Sequence, residues 1–290
     1  MGWTHYTLSF RLLSPLHVGH RRMGNLMQTK PYVPGKPLWA ALTTRLTRDR
    51  NRSNAPGRED YRRVGEALMK YFRFGYLWPS LDGKSPCFPW AHEAFEYTFL
   101  GSYMSTALDY GRQAAEEGAL HEVEFLSPYT PEGRPVFLVG DLWVREEALS
   151  AENADNQEKE ELKAWREALG RIQLGGERNY GWGRVRLLSD LKEGRLERGH
   201  TVTGFRWEVH NEEVVLRLPE GSRLPAHSLI ADGTIEGPVE VLNGWEHKLE
   251  ASERRWQLAE AKPAYAPGTR VVKQGELPLV VRPWGWLASP

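Results

Sequence analysis

The sequence predicts an α+β chain in two parts, a larger N-terminal part carrying the helices and a smaller, β-rich C-terminal part. Three observations predict it. A strand-like alternation near the N-terminus leads into helical periodicity; a glycine cluster at residues 174–184 lies between the strongest helical pattern and a short strand; and beyond about residue 196 short strand patterns follow one another with almost no helical signal.

Along the chain, Thr4 to Leu13 alternates with Tyr6, Leu8, Phe10 and Leu12 on one side, and Ser14-Pro15 ends the strand. A basic, glycine-containing loop follows. Pro34-Gly35 then makes a turn, and Leu38, Ala41, Leu42, Thr43 and Leu46 recur at helical spacing, with Pro37 at the first helical position. Residues 49–57 read as a polar connection before a second helix from Glu59 to about Tyr71, with Val64, Leu68 and Tyr71 on one face. Residues 74–120 mix aromatics, Pro and Gly without a sustained period and read as an irregular insertion with one helix near 102–117. Strand patterns return at Glu122–Leu126 and Pro135–Val144, where β-branched and aromatic residues lie between turn signals.

Asn156 to Leu169 is the strongest helical segment, with Glu158, Glu160 and Glu161 in its first turns and Leu162, Trp165 and Leu169 as an apolar stripe. After the glycine cluster, Trp182–Leu188 alternates Val185 and Leu187 against Arg184 and Arg186. The order strand, helix, strands, helix, Gly-rich loop, strand fits the split β-α-β plan of a ferredoxin-like (RRM-like) domain over residues 1–195, interrupted by the 74–120 insertion. The β-rich domain of residues 196–290 has strands at Gly204–His210, Glu213–Leu218, Arg254–Leu258 and Pro278–Arg282.

At 290 residues and 40% hydrophobic content, the chain can bury a substantial core. Its 38 basic and 38 acidic residues balance, but their distribution does not. Residues 1–48 hold Arg11, Arg21, Arg22, Lys30, Lys36, Arg45 and Arg48 with no Asp or Glu, whereas an acidic run falls in 145–167. Screening over roughly 8 Å lets such a basic region attract phosphates despite distant acids. A single cysteine, Cys87, excludes an internal disulfide framework and zinc sites built on paired cysteines. No apolar run reaches the roughly 18 residues that span a bilayer, and no signal-like start is present, so the expected location is cytoplasmic with no membrane partner.

The stretch Leu174-Gly175-Gly176-Glu177-Arg178-Asn179-Tyr180-Gly181-Trp182-Gly183-Arg184 carries most of the chemical information. Its glycines permit positive φ and close backbone approach, Arg178 and Arg184 supply charge for phosphates, and Tyr180 and Trp182 offer planes on which bases stack. On this reading the amides of Gly175, Gly176, Gly181 and Gly183 approach phosphates. The bland alternative is a helix-to-strand turn. The Gly-Lys-Ser/Thr ending of a P-loop is absent and the stretch follows a helix, so a nucleoside triphosphate site is not expected, nor any other cofactor. Most of the twelve tryptophans read as core, with Trp39, Trp182, Trp284 and Trp286 placed beside Gly or basic residues where a base could stack.

Ser14-Pro-Leu-His17-Val-Gly19-His20 after the first strand, and Pro31-Tyr-Val-Pro34-Gly35-Lys-Pro-Leu-Trp-Ala-Ala41-Leu leading into the first helix, complete a pattern. Together with the Gly-rich loop they resemble the RAMP superfamily of CRISPR-associated proteins, over roughly residues 4–190. That family has a Leu-His-x-Gly-like turn, a Pro-Gly turn with an amphipathic helix, and a Leu-Gly-Gly-x-Arg-x-x-Gly-x-Gly loop before the last strand. One departure is Lys36-Pro37-Leu38-Trp39-Ala40, which stands where the family has Ser-Ser-Leu-Lys-Gly.

The resemblance implies RNA binding in one of three roles. Target-cutting backbone subunits place an aspartate between first strand and first helix, and residues 14–48 hold no acid. Guide-maturing endoribonucleases, which need no metal, use a histidine near the first helix; His17 and His20 stand in that region, with Arg21 or Arg22 placed to stabilise a phosphorane. Those enzymes carry the Gly-rich loop near the C-terminus, whereas here about 100 residues follow Gly183. The subunit capping the guide's 5′ tag in type III effectors resembles this chain in size, in its loop-closed first domain, in its smaller β-rich second domain, and in a late turn like Ala266-Pro267-Gly268-Thr269-Arg270. The implied function is thus guide-RNA binding by Gly175, Gly176, Arg178, Asn179, Tyr180, Gly181, Trp182, Gly183, Arg184, Arg21, Arg22 and Lys36, in company with backbone and large subunits. Alternatives are the ribonuclease and a nuclease-inactive backbone subunit coating the guide.

Overall fold

A computed structural model describes residues 2–51, 55–150, 156–191, 194–196, 198–229, 233–242, 245–247, 256–258 and 261–290. Its N-terminal part begins with β1 (Thr4–Leu12), a hairpin of β2 (Gly19–Met23) and β3 (Leu26–Thr29), and helices α1 (Gly35–Arg50) and α2 (Arg58–Tyr71). There follow β4 (Phe72–Phe74), β5 (Trp78–Ser80), α3 (Phe95–Phe99), β6 (Leu100–Ser105), β7 (Leu108–Asp109), β8 (Ala114–Ala115), β9 (His121–Leu126) and β10 (Phe137–Val144). Short helices α4 (Glu146–Ser150), α5 (Asn156–Leu162) and α6 (Trp165–Leu169) lead to the glycine loop, β11 (Val185–Leu187) and β12 (Arg195–Leu196).

The main sheet runs β11-β1-β10-β4, with β12 also pairing β1 and β5 also pairing β10, all antiparallel. Because side chains alternate across a strand, Tyr6, Leu8, Phe10 and Leu12 of β1 point together into a core shared with Leu38, Ala41, Leu42 and Leu46 of α1 and Val64, Leu68 and Tyr71 of α2. Leu162, Trp165 and Leu169 enter the same core. On the opposite face, Trp3, just before β1, and Trp143 of β10 are buried in a second core with Trp207, Leu216 and Leu279. Both faces of the sheet are therefore covered at this end. His5 lies there with its Nε2 2.7 Å from Asp141 Oδ1, between Trp143 and Trp207 at ring separations of 5.2 and 5.3 Å. The amide of Val202 also donates to Asp141 Oδ1 at 3.0 Å, so the buried carboxylate is held from two sides.

The C-terminal part adds β13 (Arg198–His200), β14 (Arg206–His210), β15 (Glu213–Pro219), β16 (Ser228–Leu229), β17 (Ile235–Glu236) and β18 (Val239–Leu242). It continues with β19 (Trp245–His247), β20 (Trp256–Leu258), β21 (Lys262–Tyr265), β22 (Arg270–Val271), β23 (Glu276–Val281) and β24 (Leu287–Ala288). Eight of these form one sheet in the order β13-β14-β15-β23-β24-β16-β21-β18. Among the described residues no α-helix follows α6, and no helix is long and apolar enough to cross a membrane. The chain is thus a mixed α/β protein rich in strands.

Four expectations change. The basic loop after β1 is a hairpin, and β3 pairs in parallel with β9 in a separate sheet β2-β3-β9-β6. Instead of a helix near 102–117, β6 pairs antiparallel with β9 from Leu100↔Leu126 to Ser105↔His121, and β7 pairs β8; cross-strand partners override helical propensity there. The helix expected over 156–169 is broken at Lys163-Ala164. The break lets α5 lie along α2, where Glu161 meets Arg63 and also Arg50 of α1 at 2.8 Å, while α6 turns to seat Trp165 against Tyr6 and Phe72. Finally, α1 starts at Gly35, so Pro37 occupies its third position, still within the turn whose N–H groups lack helical partners. The start of the strand expected at Arg254, residues 52–54 of the polar connection, and residues 151–155 of the acidic run lie outside the described residues.

Candidate nucleic-acid interface

The glycine loop is clasped to the turn after β1. Gly183 N–H donates to Pro15 O at 2.7 Å, Gly176 N–H to His17 O at 2.9 Å, and Arg184 N–H to Ser14 Oγ at 2.9 Å. Gly175 and Gly183 make that approach possible: both have positive φ, +71° and +75°, and an added Cβ would lie 2.3 Å from His17 O and 1.8 Å from Leu174 O, respectively. Across the loop base, Leu174 N–H donates to Gly183 O at 2.9 Å and Gln173 Nε2 to Trp182 O at 2.6 Å.

This geometry alters one expectation. Gly176, Gly181 and Gly183 each donate their N–H within the protein, Gly181 to Arg178 O at 3.0 Å, so these amides are already engaged and are not free to meet a phosphate. The bonds serve to aim the loop. Its exposed tip presents Arg178, Asn179 and Tyr180. Trp182 packs edge-on against Phe125 at 5.2 Å and Tyr103 at 6.5 Å, tying the loop to the β2-β3-β9-β6 sheet.

Beside the loop opens a cleft of about 950 Å³. His17, His20 and Arg21 line one wall, the loop adds Gly175, Gly176 and Arg178, and the start of α1 adds Lys36. The opposite wall comes from the C-terminal part through His227, Glu240, Lys262, Trp284 and Trp286. Phe74 N–H donates to Pro283 O at 3.0 Å, which brings the tryptophan segment against the start of α1. There Lys36 Nζ lies 4.5 Å from the Trp284 ring, and Lys262 Nζ lies 5.8 Å from that of Trp286. Of the residues expected to bind RNA, Arg22, Asn179, Tyr180, Gly181, Trp182, Gly183 and Arg184 are not in the cleft wall. Arg22 turns back to Gly24 O at 2.9 Å.

The two histidines proposed from sequence differ in setting. His17 Nδ1 donates to Glu124 O at 2.7 Å while its carbonyl accepts from Gly176, which makes it a tie between loop, turn and β9. His20 is exposed, with Nδ1 3.3 Å from Lys30 Nζ; partial burial first, then Lys30, pulls its pKa below the usual imidazole value.

Sequence reasoning missed a relay in the same cleft. Tyr76 OH is 2.7 Å from His227 Nδ1, His227 Nε2 is 3.1 Å from Glu240 Oε2, and Lys30 Nζ is 3.3 Å from the same oxygen. An ionised carboxylate only accepts, so His227 donates from Nε2 and takes the Tyr76 hydroxyl proton's bond at Nδ1. The hydrogen bond from His227 holds the Glu240 carboxyl down at about 2, while burial lowers His227 and outweighs the pull of Glu240. A histidine kept neutral by folding loses that contribution as pH falls below its ordinary 6.5, and a depressed carboxylate loses its share as pH falls from 4.5 toward about 2. Urea unfolding from pH 8 to pH 3 is expected to show both losses. His227→Gln should flatten the first and Glu240→Gln the second.

A family profile described as the RAMP superfamily matches residues 9–186. Among solved structures, the chain is similar to one in the cryo-EM structure of the type III-B Cmr-beta bound to cognate target RNA and AMPPnP, at 15% identity, over 92% of this chain and 86% of that chain, with a TM-score of 0.46. It is also similar to a chain in the type III-B Cmr-beta bound to cognate target RNA, at 12% identity, over 63% of this chain and 96% of that one, with a TM-score of 0.40. No curated protein matches.

Proposed function

The chain belongs to the RAMP superfamily, and from that premise we propose that it is a non-catalytic subunit of a type III-like CRISPR effector, binding the 5′ tag of the guide RNA. The observation that carries this reading is the cleft. Among the described residues, Arg21, Lys30, Lys36, Arg178 and Lys262 line it together with the carboxylate of Glu240, in a chain whose basic and acidic residues balance overall. A groove of that sign suits a phosphate backbone, and its partly exposed Trp284 and Trp286 suit bases. Support for binding over cleavage comes from His17, whose ring and backbone are both engaged in holding the loop.

The same proposal includes a ferredoxin-like first domain, 1–195, supported by the β11-β1-β10-β4 order with α1 and α2 on one face, and a β-rich second domain, 196–290. It also includes backbone and large subunits as neighbours. The test is binding of labelled guide RNA, with and without its 5′ tag, to the full chain. Tag-dependent binding of intact RNA is the expected result. Cut RNA without added metal, abolished in His20→Ala, would install the ribonuclease alternative, and equal binding to both RNAs would install the backbone alternative.

A further inference from the structure

We propose that Glu240 reads the amino group of a nucleobase bound in the cleft, discriminating cytosine-type from uracil-type edges. The inference rests on the RNA-binding reading and goes beyond it, because a phosphate track alone gives no reason for a carboxylate at this place.

Among the described residues, the cleft wall holds five cationic side chains and one anionic one. An acid among phosphate sites opposes a polyanion unless it meets a donor, and the neutral donors of a nucleotide are base N–H groups and the ribose hydroxyl. Glu240 is also built in more firmly than a surface ion pair. Its Oε2 accepts from both His227 and Lys30, and His227, with 1% of its surface exposed, is pinned from behind by Tyr76. Both bonds land on Oε2, and among the described residues no hydrogen bond falls on Oε1, on a side chain still 34% exposed. The hydrogen bond from His227 keeps that carboxylate ionised, acceptor-only, far below neutral pH.

Register places the base beside it. β18 pairs antiparallel with β21 so that Leu242 stands opposite Lys262, and Glu240, two residues away, shares their face. Lys262 in turn lies over the Trp286 ring. Acceptor, cation and aromatic plane therefore lie along one edge of the cleft, the set needed to stack a base, neutralise its phosphate and read its rim.

The test uses the full chain and an oligouridylate series in which a single cytidine is moved along the strand, read by fluorescence anisotropy. At one position cytidine is expected to bind about tenfold better than uridine, the effect of one charge-assisted hydrogen bond. Glu240→Ala should abolish the preference. Glu240→Gln, which keeps an acceptor for His227 and adds an amide donor suited to uracil O4, should reverse it. Deoxycytidine at that position should retain the preference. The proposal falls if no position prefers cytidine, if the preference survives both variants, if it follows the 2′-hydroxyl instead, or if the variants weaken every oligonucleotide equally, which would make Glu240 only a support for Lys30. Failure of the unsubstituted protein to bind any of the series would instead overturn the RNA-binding reading on which the proposal stands.

Discussion

Gly183→Ala is expected to destabilise the protein by about 2–5 kcal/mol, adding the left-handed backbone penalty of roughly 1–2 kcal/mol to an overpacking cost of about 1–3 kcal/mol. For a chain of this size that is a melting-temperature drop of roughly 4–20 °C. The cause is local: at φ +75° a Cβ would stand 1.8 Å from the Leu174 carbonyl, inside the pair that closes the loop base. Gly175→Ala meets the backbone of His17 at 2.3 Å and should behave similarly. Gly181→Ala is the control, because its φ is also positive, +84°, but nothing lies within 4 Å of the added atom. It should lose only about 1–2 kcal/mol, the backbone penalty alone. Thermal unfolding of the three variants separates close approach from conformation, and equal losses in all three would show that the clasp to Pro15 and His17 contributes nothing.

Arg178→Glu and Lys36→Glu are expected each to weaken RNA binding tenfold or more at roughly 0.15 M salt and to lower the slope of log K against log salt by about 0.7 per lost phosphate contact. Both side chains line the cleft. Arg184→Glu should have little effect, although the sequence makes Arg178 and Arg184 look equivalent, because Arg184 lies outside the cleft wall with its amide tied to Ser14. The measurement is a salt titration of binding for the three variants. An equal loss for Arg184→Glu would move the RNA path to the outer side of the loop.

The difference between those two arginines marks how far sequence reading reaches. The first strand and first two helices were legible because each buries one face, so hydrophobic spacing reports geometry directly. The hairpin of β2 and β3 was not, since all five residues of β2 are exposed and no alternation is imposed on them. In the site, the glycine loop and its turn were legible as local motifs, but not which loop residues face the cleft. The relay Tyr76–His227–Glu240–Lys30 gave no local signal at all. Its members come together only because the C-terminal sheet closes over the start of α1, and no spacing rule links residues 30 and 240.

The position of β1 in the main sheet has a consequence for biosynthesis. Of the described strands, the first to be synthesised is an interior one: Thr4 pairs with Val144, and Phe10 pairs with both Leu138 and Leu187. At roughly 5–20 residues per second, β1 waits on the order of ten seconds for β10 and longer for β11. Its apolar side is unsheltered meanwhile, except by whatever α1 and α2 cover. Translation pauses between β3 and β10 should therefore lower the soluble yield, whereas pauses after β11, once both neighbours of β1 exist, should be tolerated.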